Sequence, residues 1–235
     1  MFDTKIIAEL GSNYMGDIKI GKKLIDACKG QCDLIKLQLW KAEDLYKNTD
    51  IYEITKKLEL SFDMAKQLFD YAKKQGIDLF FSVFYPEAVD FCEEIGVKYY
   101  KVASRSTSDY RLLKKIAQTN KHVFVSYSKQ HACDKEKIEQ IFSNNKLTTL
   151  YCISLYPPSF DDFSYFELIK ATGGYSNHYK DLYASQFSMF INVQWIELHV
   201  MLEQHQDSPD AVCSITEKQL KELSLWKKSM KKLSD

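Results

Sequence analysis

Short apolar runs alternate with longer amphipathic segments from one end of the chain to the other. The runs are Lys5–Leu10, Leu34–Leu39, Leu79–Val83, Tyr99–Ala103, His122–Ser126, Thr148–Ile153, Gly174–Ser176 and Gln194–His199. They are rich in β-branched and aromatic residues, as parallel strands buried on both faces should be. Gly174–Ser176 is the weakest of them. Between the runs, apolar residues recur at helical spacing. Ile18–Cys28 carries Ile20, Leu24, Ile25 and Cys28 on one side, and Phe62–Lys74 carries Met64, Leu68, Phe69 and Ala72. Glu87–Ile95, Asp109–Gln118, Lys135–Phe142, Phe163–Ala171, Asp181–Phe190 and Glu217–Leu233 complete the helices, with Asp134 and Thr216 where N-caps belong. Eight strands alternating with eight helices predict an α/β chain folded as one (β/α)₈ TIM barrel over residues 1–235. An open doubly wound sheet is the alternative. It usually carries a glycine-rich loop after its first strand, and Gly11-Ser12-Asn13-Tyr14-Met15-Gly16 is not GxGxxG.

Composition narrows the class. The 235 residues are 45% hydrophobic and 27% charged with a formal net charge of zero, enough apolar material for a large core. Neutrality gives no electrostatic footprint for nucleic acid or an anionic membrane, and neither is expected as a partner. The basic stretch Lys227, Lys228, Lys231, Lys232 fits the solvated face of a last helix. The start, MFDTKIIAEL, lacks a basic region followed by a long apolar one, and no run approaches the roughly 18 apolar residues of a membrane span. The six cysteines form neither CxxC nor a zinc pattern. A cytoplasmic protein with reduced, mostly packed thiols is expected.

In a barrel, chemistry sits at the C-terminal strand ends. Here nearly every predicted strand ends in polar residues: Glu9; Lys36 and Gln38; Ser82; Lys101 with Ser104; Ser126; Ser154; Ser176 and His178; Glu197 and His199. A pair two apart shares a strand face, and polar groups at all eight ends point to one solvated pocket. His178 and His199, on neighbouring strand ends, suit a divalent metal, with imidazole favouring Mn, Fe, Co, Ni or Zn over Mg or Ca. Hydrogen-bonded structural histidines are the alternative. Lys36 and Lys101 with the serines suit a phosphate or carboxylate. Pairing of these lysines with Glu9 or Glu197 is the equally weighted alternative. His122, His131 and His205 have no such setting and are expected at the surface.

These motifs together resemble the sialic acid synthase (N-acetylneuraminate synthase) family, which condenses phosphoenolpyruvate with an amino-sugar aldose. The matching stretches are AELGSNYMGD at Ala8–Asp17, LIKLQLWKAEDLY at Leu34–Tyr46, YYKVAS at Tyr99–Ser104, CISLYPPSF at Cys152–Phe160, GYSNH at Gly174–His178, ELH at Glu197–His199 and SPDAVCS at Ser208–Ser214, in the family's order. The resemblance implies a TIM-barrel synthase of a nonulosonic acid that releases phosphate. It implies His178 and His199 as ligands of a divalent metal, Mn²⁺ first, with Mg²⁺ or Co²⁺ as alternatives. Lys36, Lys101, Ser104, Ser126, Ser154 and Ser176 would hold phosphoenolpyruvate, with Tyr156 beside it and Gln38 and Ser82 adding substrate contacts. Glu9, Lys101 and Asp210 would be catalytic.

The chain also departs from the family's pattern. Ser106 stands where the family has a glutamate, Ser82-Val83 replaces a serine–threonine pair, and Ser176-Asn177-His178 replaces serine-aspartate-histidine. Ser126-Tyr127-Ser128-Lys129 replaces a Ser-Thr-Gly-Met run. The loop after strand two is expected to be short. Typical members carry a C-terminal antifreeze-like domain after the barrel, which is expected to be lacking here; a homodimer, or a separate chain supplying that domain, is the expected partner beside the small molecules. A catalytically altered relative that binds ligand without turnover is the alternative to the synthase.

Overall fold

The computed structural model describes residues 3–171 and 173–234. Strands β1 (Lys5–Glu9), β2 (Leu34–Leu39), β3 (Asp78–Val83), β4 (Tyr99–Val102), β5 (His122–Tyr127), β6 (Leu147–Cys152), β7 (Gly174–Asn177) and β8 (Trp195–Met201) pair in sequence order. β8 then pairs with β1, through Lys5↔Trp195 to Glu9↔His199, and every pairing is parallel. The sheet closes into the barrel that the alternating pattern predicts, and the open sheet is excluded. A ninth short strand, β9 (Ser214–Thr216), extends the upper end of β8.

Among the described residues the α-helices are α1 (Ile18–Cys28), α2 (Ala42–Leu45), α3 (Tyr52–Lys57), α4 (Phe62–Gln75), α5 (Pro86–Ile95), α6 (Tyr110–Ala117), α7 (Lys135–Ile141), α8 (Tyr165–Lys170) and α9 (Tyr183–Phe190), which lie between strands, and α10 (Glu217–Ser234), which follows the last. Their buried stripes, such as Leu24, Ile25 and Cys28 of α1 or Leu112, Leu113 and Ile116 of α6, meet the outward strand residues Ile6, Ile35, Phe81, Val102 and Val125 in the main core. Each such fully buried aliphatic side chain contributes about 1.5–3 kcal/mol. Asp17, Ser61, Asp109, Asp134 and Ser164 cap helices by accepting from backbone N–H groups. The expected cap Thr216 accepts from Gln219 N at 3.2 Å.

Two expectations need correction. The connection after β2 is not short. Residues 40–61 hold α2 and α3, because Trp40, Ala42 and Leu58 bury a satellite core with Leu45, Tyr46 and Tyr52 around it. The expected helix over Phe163–Ala171 starts later, since Phe163 remains extended and Ser164 is the N-cap of α8. Among the described residues no helix is long and apolar enough to cross a membrane.

The barrel interior has a floor and a working layer. Ile7, Leu34, Phe80, Phe124, Leu150 and Trp195 form a separate apolar cluster. Two residues further along the strands, on the same inward face, come Glu9, Lys36, Ser82, Ser126, Cys152 and Glu197. The register sets Glu9 beside Lys36, Ser82 beside Lys101, and Ser176 beside both Cys152 and Glu197. Gly174 opens β7 at φ 150°, where an added Cβ would lie 1.9 Å from Trp195 O. Only glycine allows β7 to approach β8 there.

Candidate active site

Above the apolar floor lies a cavity of about 270 Å³ at the C-terminal strand ends. Twelve predicted site residues line it: Glu9, Lys36, Gln38, Ser82, Lys101, Ser104, Ser126, Ser154, Tyr156, Ser176, His178 and His199. Asp210 stands just behind this lining, its Oδ2 3.5 Å from His199 Nδ1. All thirteen therefore fall in one region. Among them Tyr156 is the most open, 57% exposed, with its ring 4.4 Å from that of His178.

Of the two readings of the lysines, the pairing with Glu9 and Glu197 is the one that the arrangement shows. Lys36 pairs with Glu9, donates to Ser82 Oγ at 2.8 Å, and lies 3.5 Å from Glu197 Oε2. Lys101 lies 3.5 Å from Glu197 Oε1. Ser176 Oγ donates to that same Oε1 at 2.8 Å, and Gly11 N donates to Glu9 Oε1 at 2.6 Å. Two buried ammoniums thus face two buried carboxylates. Burial opposes the charge on Lys36, but Glu197 and Glu9 outweigh it and raise its pKa. Burial lowers the pKa of Lys101, with Glu197 offsetting only part of the effect and Lys36 adding repulsion. Burial would raise Glu197, yet Lys101 and Lys36 hold it down at about 2.

The histidine pair closes the other side of the cavity. The rings of His178 and His199 are 5.5 Å apart. His178 Nδ1 donates to Ile153 O at 2.6 Å; a carbonyl only accepts, so Nε2 is left with the lone pair that a metal takes. His199 Nδ1 is buried with no hydrogen-bond partner. Burial disfavours the imidazolium of His199, and Asp210 reverses this and raises its pKa. Asp210 itself is lowered, its burial outweighed by His199 and by the N–H of Ser12 at 2.7 Å. Gly11 makes this close approach possible: at φ +48° its absent Cβ would lie 2.2 Å from Asp210 Oδ2. Among the described residues no group of three or more His, Cys, Asp and Glu is gathered as a metal site. His178 and His199 could supply two imidazole ligands to a divalent ion, leaving its remaining positions to water and substrate oxygens.

Glu197, which the sequence offered as a partner for either lysine, is the shared counter-ion of both. The structure also adds residues that the sequence did not single out. Cys152 lies in the cavity wall, 3.9 Å from His178 Nδ1; burial raises its thiol pKa, but His178, Ser154 and Lys101 bring the net shift below the ordinary value. Arg105 and His131 line the outer cavity. His131 is not the surface residue expected: its Nδ1 is 3.0 Å from Ser104 Oγ, which in turn is 2.7 Å from Ser154 Oγ. His122 is not at the surface either. It lies half-buried at the barrel floor, 2.8 Å from Thr148 Oγ1. Ser106 is buried outside the cavity lining, in the short turn Ser104–Ser106.

A family description placed beside this geometry matches most of the chain: the NeuB family, over residues 24–233. The chain belongs to the NeuB family. A relative from Methanocaldococcus jannaschii, itself an uncharacterized protein, is 33% identical over 94% of this chain and 68% of its own length. The N,N'-diacetyllegionaminic acid synthase of Campylobacter jejuni is 29% identical over 95% of this chain and 75% of its own length. In fold, this NeuB-family chain matches the N-acetylneuraminic acid synthetase of Leptospira borgpetersenii, crystallised with citrate. The TM-score is 0.92 at 23% identity, covering 99% of this chain and 85% of that one.

Proposed function

We propose that the chain is a phosphoenolpyruvate-dependent synthase that joins phosphoenolpyruvate to an amino-sugar aldose, forming a sialic acid-like nonulosonic acid and releasing phosphate. One observation carries this reading. Three buried polar atoms without a hydrogen-bond partner, Ser126 Oγ, Glu197 Oε2 and His199 Nδ1, belong to residues lining the same cavity, the last two with only a longer ionic contact at 3.5 Å. Unsatisfied buried groups are costly, and their convergence between two lysines and two imidazoles supports a bound polyanion beside an electrophile.

Lys36 and Lys101 would meet the phosphate and carboxylate of phosphoenolpyruvate, with the hydroxyls of Ser82, Ser104, Ser126, Ser154 and Ser176 as further donors. Holding the trianion rigidly over the apolar floor lowers the entropic part of the barrier. A divalent ion held by His178 and His199, Mn²⁺ with Mg²⁺ or Co²⁺ as alternatives, supplies Lewis acidity to the aldehyde oxygen when bound. The enol methylene carbon bonds to the aldehyde carbon. The carbon bearing the phosphate becomes positive and takes up water, and phosphate leaves with its bridging oxygen. The two protons of that water end on the former aldehyde oxygen and the departing phosphate. Asp210, 25% exposed beside His199, would relay the first, and Glu9 and Glu197 would flank the carbon that becomes positive. The site would work in the cytoplasm, where the six free cysteines stay reduced.

A barrel that binds phosphoenolpyruvate without turning it over is the second reading. It is favoured by Ser106, which brings no acid into the cavity. Incubation with phosphoenolpyruvate, Mn²⁺ and a panel of hexosamines separates the two. Phosphate release with a new carbon–carbon bond, read by mass spectrometry, is expected. Phosphoenolpyruvate binding without phosphate release from any aldose would overturn the synthase in favour of the binding barrel.

A further inference from the structure

Most ionisable groups of the cavity are already committed. Glu9, Lys36, Lys101 and Glu197 neutralise one another, and His178 and His199 are given to the proposed metal. Cys152 is buried against His178. The phenol of Tyr156 stays protonated at neutral pH, and Arg105 keeps its charge. Among the described residues, His131 is left as the cavity group that is partly exposed and can exchange a proton with solvent near neutral pH.

His131 stands on the loop between β5 and α7, and that loop is tied to both turns that carry the cradle hydroxyls. After β6, Ser154 N donates to Gln130 Oε1 at 3.2 Å, and after β4, Thr107 Oγ1 donates to Ala132 O at 3.3 Å. Between these ties His131 Nδ1 lies 3.0 Å from Ser104 Oγ, which lies 2.7 Å from Ser154 Oγ. Both separations are those of good hydrogen bonds. With its proton on Nε2, the neutral ring accepts from Ser104, Ser104 accepts from Ser154, and Ser154 Oγ keeps a lone pair. Protonation of Nδ1 turns the line round, and Ser154 then has a proton to donate.

We propose that His131 is a relay residue, which through Ser104 and Ser154 takes up a proton as water adds to the phosphate-bearing carbon and returns it to the departing phosphate. This rests on the synthase reading above and assigns the second of its two proton transfers. As the water oxygen bonds to that carbon, it gives one proton to Ser154 Oγ, which passes its own to Ser104 Oγ, and Ser104 passes its own to Nδ1. When the carbon–oxygen bond to phosphate breaks, its electron pair stays on the phosphate oxygen, and the proton returns to that oxygen along the same line. The hydroxyl left on the carbon becomes the keto oxygen, and its proton is the one that Asp210 would carry to the former aldehyde oxygen. Arg105 approaches the ring from the turn after β4. Lys129, Cys133 and Lys135 from its own loop and α7, with Tyr127, Tyr151 and Glu167, share a second cleft with it. Burial first, then Arg105, lower the pKa of His131, so the resting ring at neutral pH is the acceptor that the relay requires.

The test measures phosphate release with phosphoenolpyruvate, Mn²⁺ and the best aldose of the panel, in the native chain, His131→Gln, Ser104→Ala and the double variant. Glutamine still accepts from Ser104 but does not ionise. In His131→Gln, kcat is expected to fall about a hundredfold, the size of a lost proton-transfer group, with the KM for phosphoenolpyruvate far less affected. The ratio of native to His131→Gln kcat/KM should shrink as the pH falls below the ordinary 6.5 of a histidine, because the free ring then charges and the native chain loses its acceptor. The substrate's own titration cancels in this ratio. The double variant should be no slower than the slower single variant, because a line already broken cannot be broken again. A loss borne by KM, a ratio independent of pH, or losses that multiply in the double variant would overturn the relay, while turnover by the native chain leaves the synthase reading standing. No phosphate release from any aldose by the native chain would overturn both.

Discussion

The Nδ1–H of His178 is held by the carbonyl of Ile153 at 2.6 Å. This one bond fixes the tautomer of the imidazole and its orientation at the end of β7, leaving Nε2 available as a ligand. His199 reaches the same cavity from β8 with a buried nitrogen that has no hydrogen-bond partner. His178→Ala and His199→Ala should therefore each abolish tight divalent-metal binding and turnover while the barrel stays folded. Mn²⁺ binding followed by calorimetry, alongside circular dichroism and phosphate release, checks this. Unchanged Mn²⁺ affinity in both variants would remove the pair from the metal site.

Glu197 joins two ammonium groups that would otherwise face the single carboxylate of Glu9. Removing one partner of a buried ionic cluster typically costs about 3–5 kcal/mol, because it leaves a charge buried without compensation. Glu197→Ala is expected to lose stability in that range, measured by urea denaturation near pH 7. Lys101, already below its ordinary pKa through burial, should lose its proton more readily still. Millimolar phosphoenolpyruvate should recover part of the lost stability by binding only the folded chain, and more in the variant than in the native protein. A variant as stable as the native chain would show that these charges are well solvated.

The barrel was legible because its signal is repetitive: eight apolar runs, each followed by a helical period. The strand-end residues were legible for a related reason. Polar groups such as Lys36 and Ser82 break buried runs that should otherwise be apolar, and a buried polar residue is more informative than an exposed apolar one. What escaped lay in relationships between distant positions. Glu197 was visible on the strand beside His199, but its bridging of Lys36 and Lys101 exists only once the barrel closes. His131 and Arg105 sit in loops, where no periodicity says which way a side chain turns. The satellite core around Trp40 went unseen because its two helices are too short to establish a period. His122 was misjudged because an imidazole at a strand start resembles a surface residue until the floor of the barrel closes over it.

That floor makes a separate prediction about pH. His122 packs 4.4 Å from the ring of Phe124 and 6.4 Å from that of Trp195. Burial, with Lys146 and Lys5 adding repulsion, pushes its pKa down from the ordinary 6.5 to about 4. Between those two values the unfolded chain binds a proton at this side chain that the folded chain refuses. Stability contributed by neutral His122 is therefore complete above pH 6.5, falls as the pH drops through that window, and stops falling below about pH 4. His122→Gln keeps a hydrogen-bonding group for Thr148 and removes the titration. The native chain should lose stability relative to this variant as the pH is lowered from 6.5 to 4. The difference between their urea midpoints checks it, since carboxylates titrating elsewhere cancel in the comparison. A difference independent of pH across that window would mean that His122 protonates as readily in the folded barrel as in the unfolded chain.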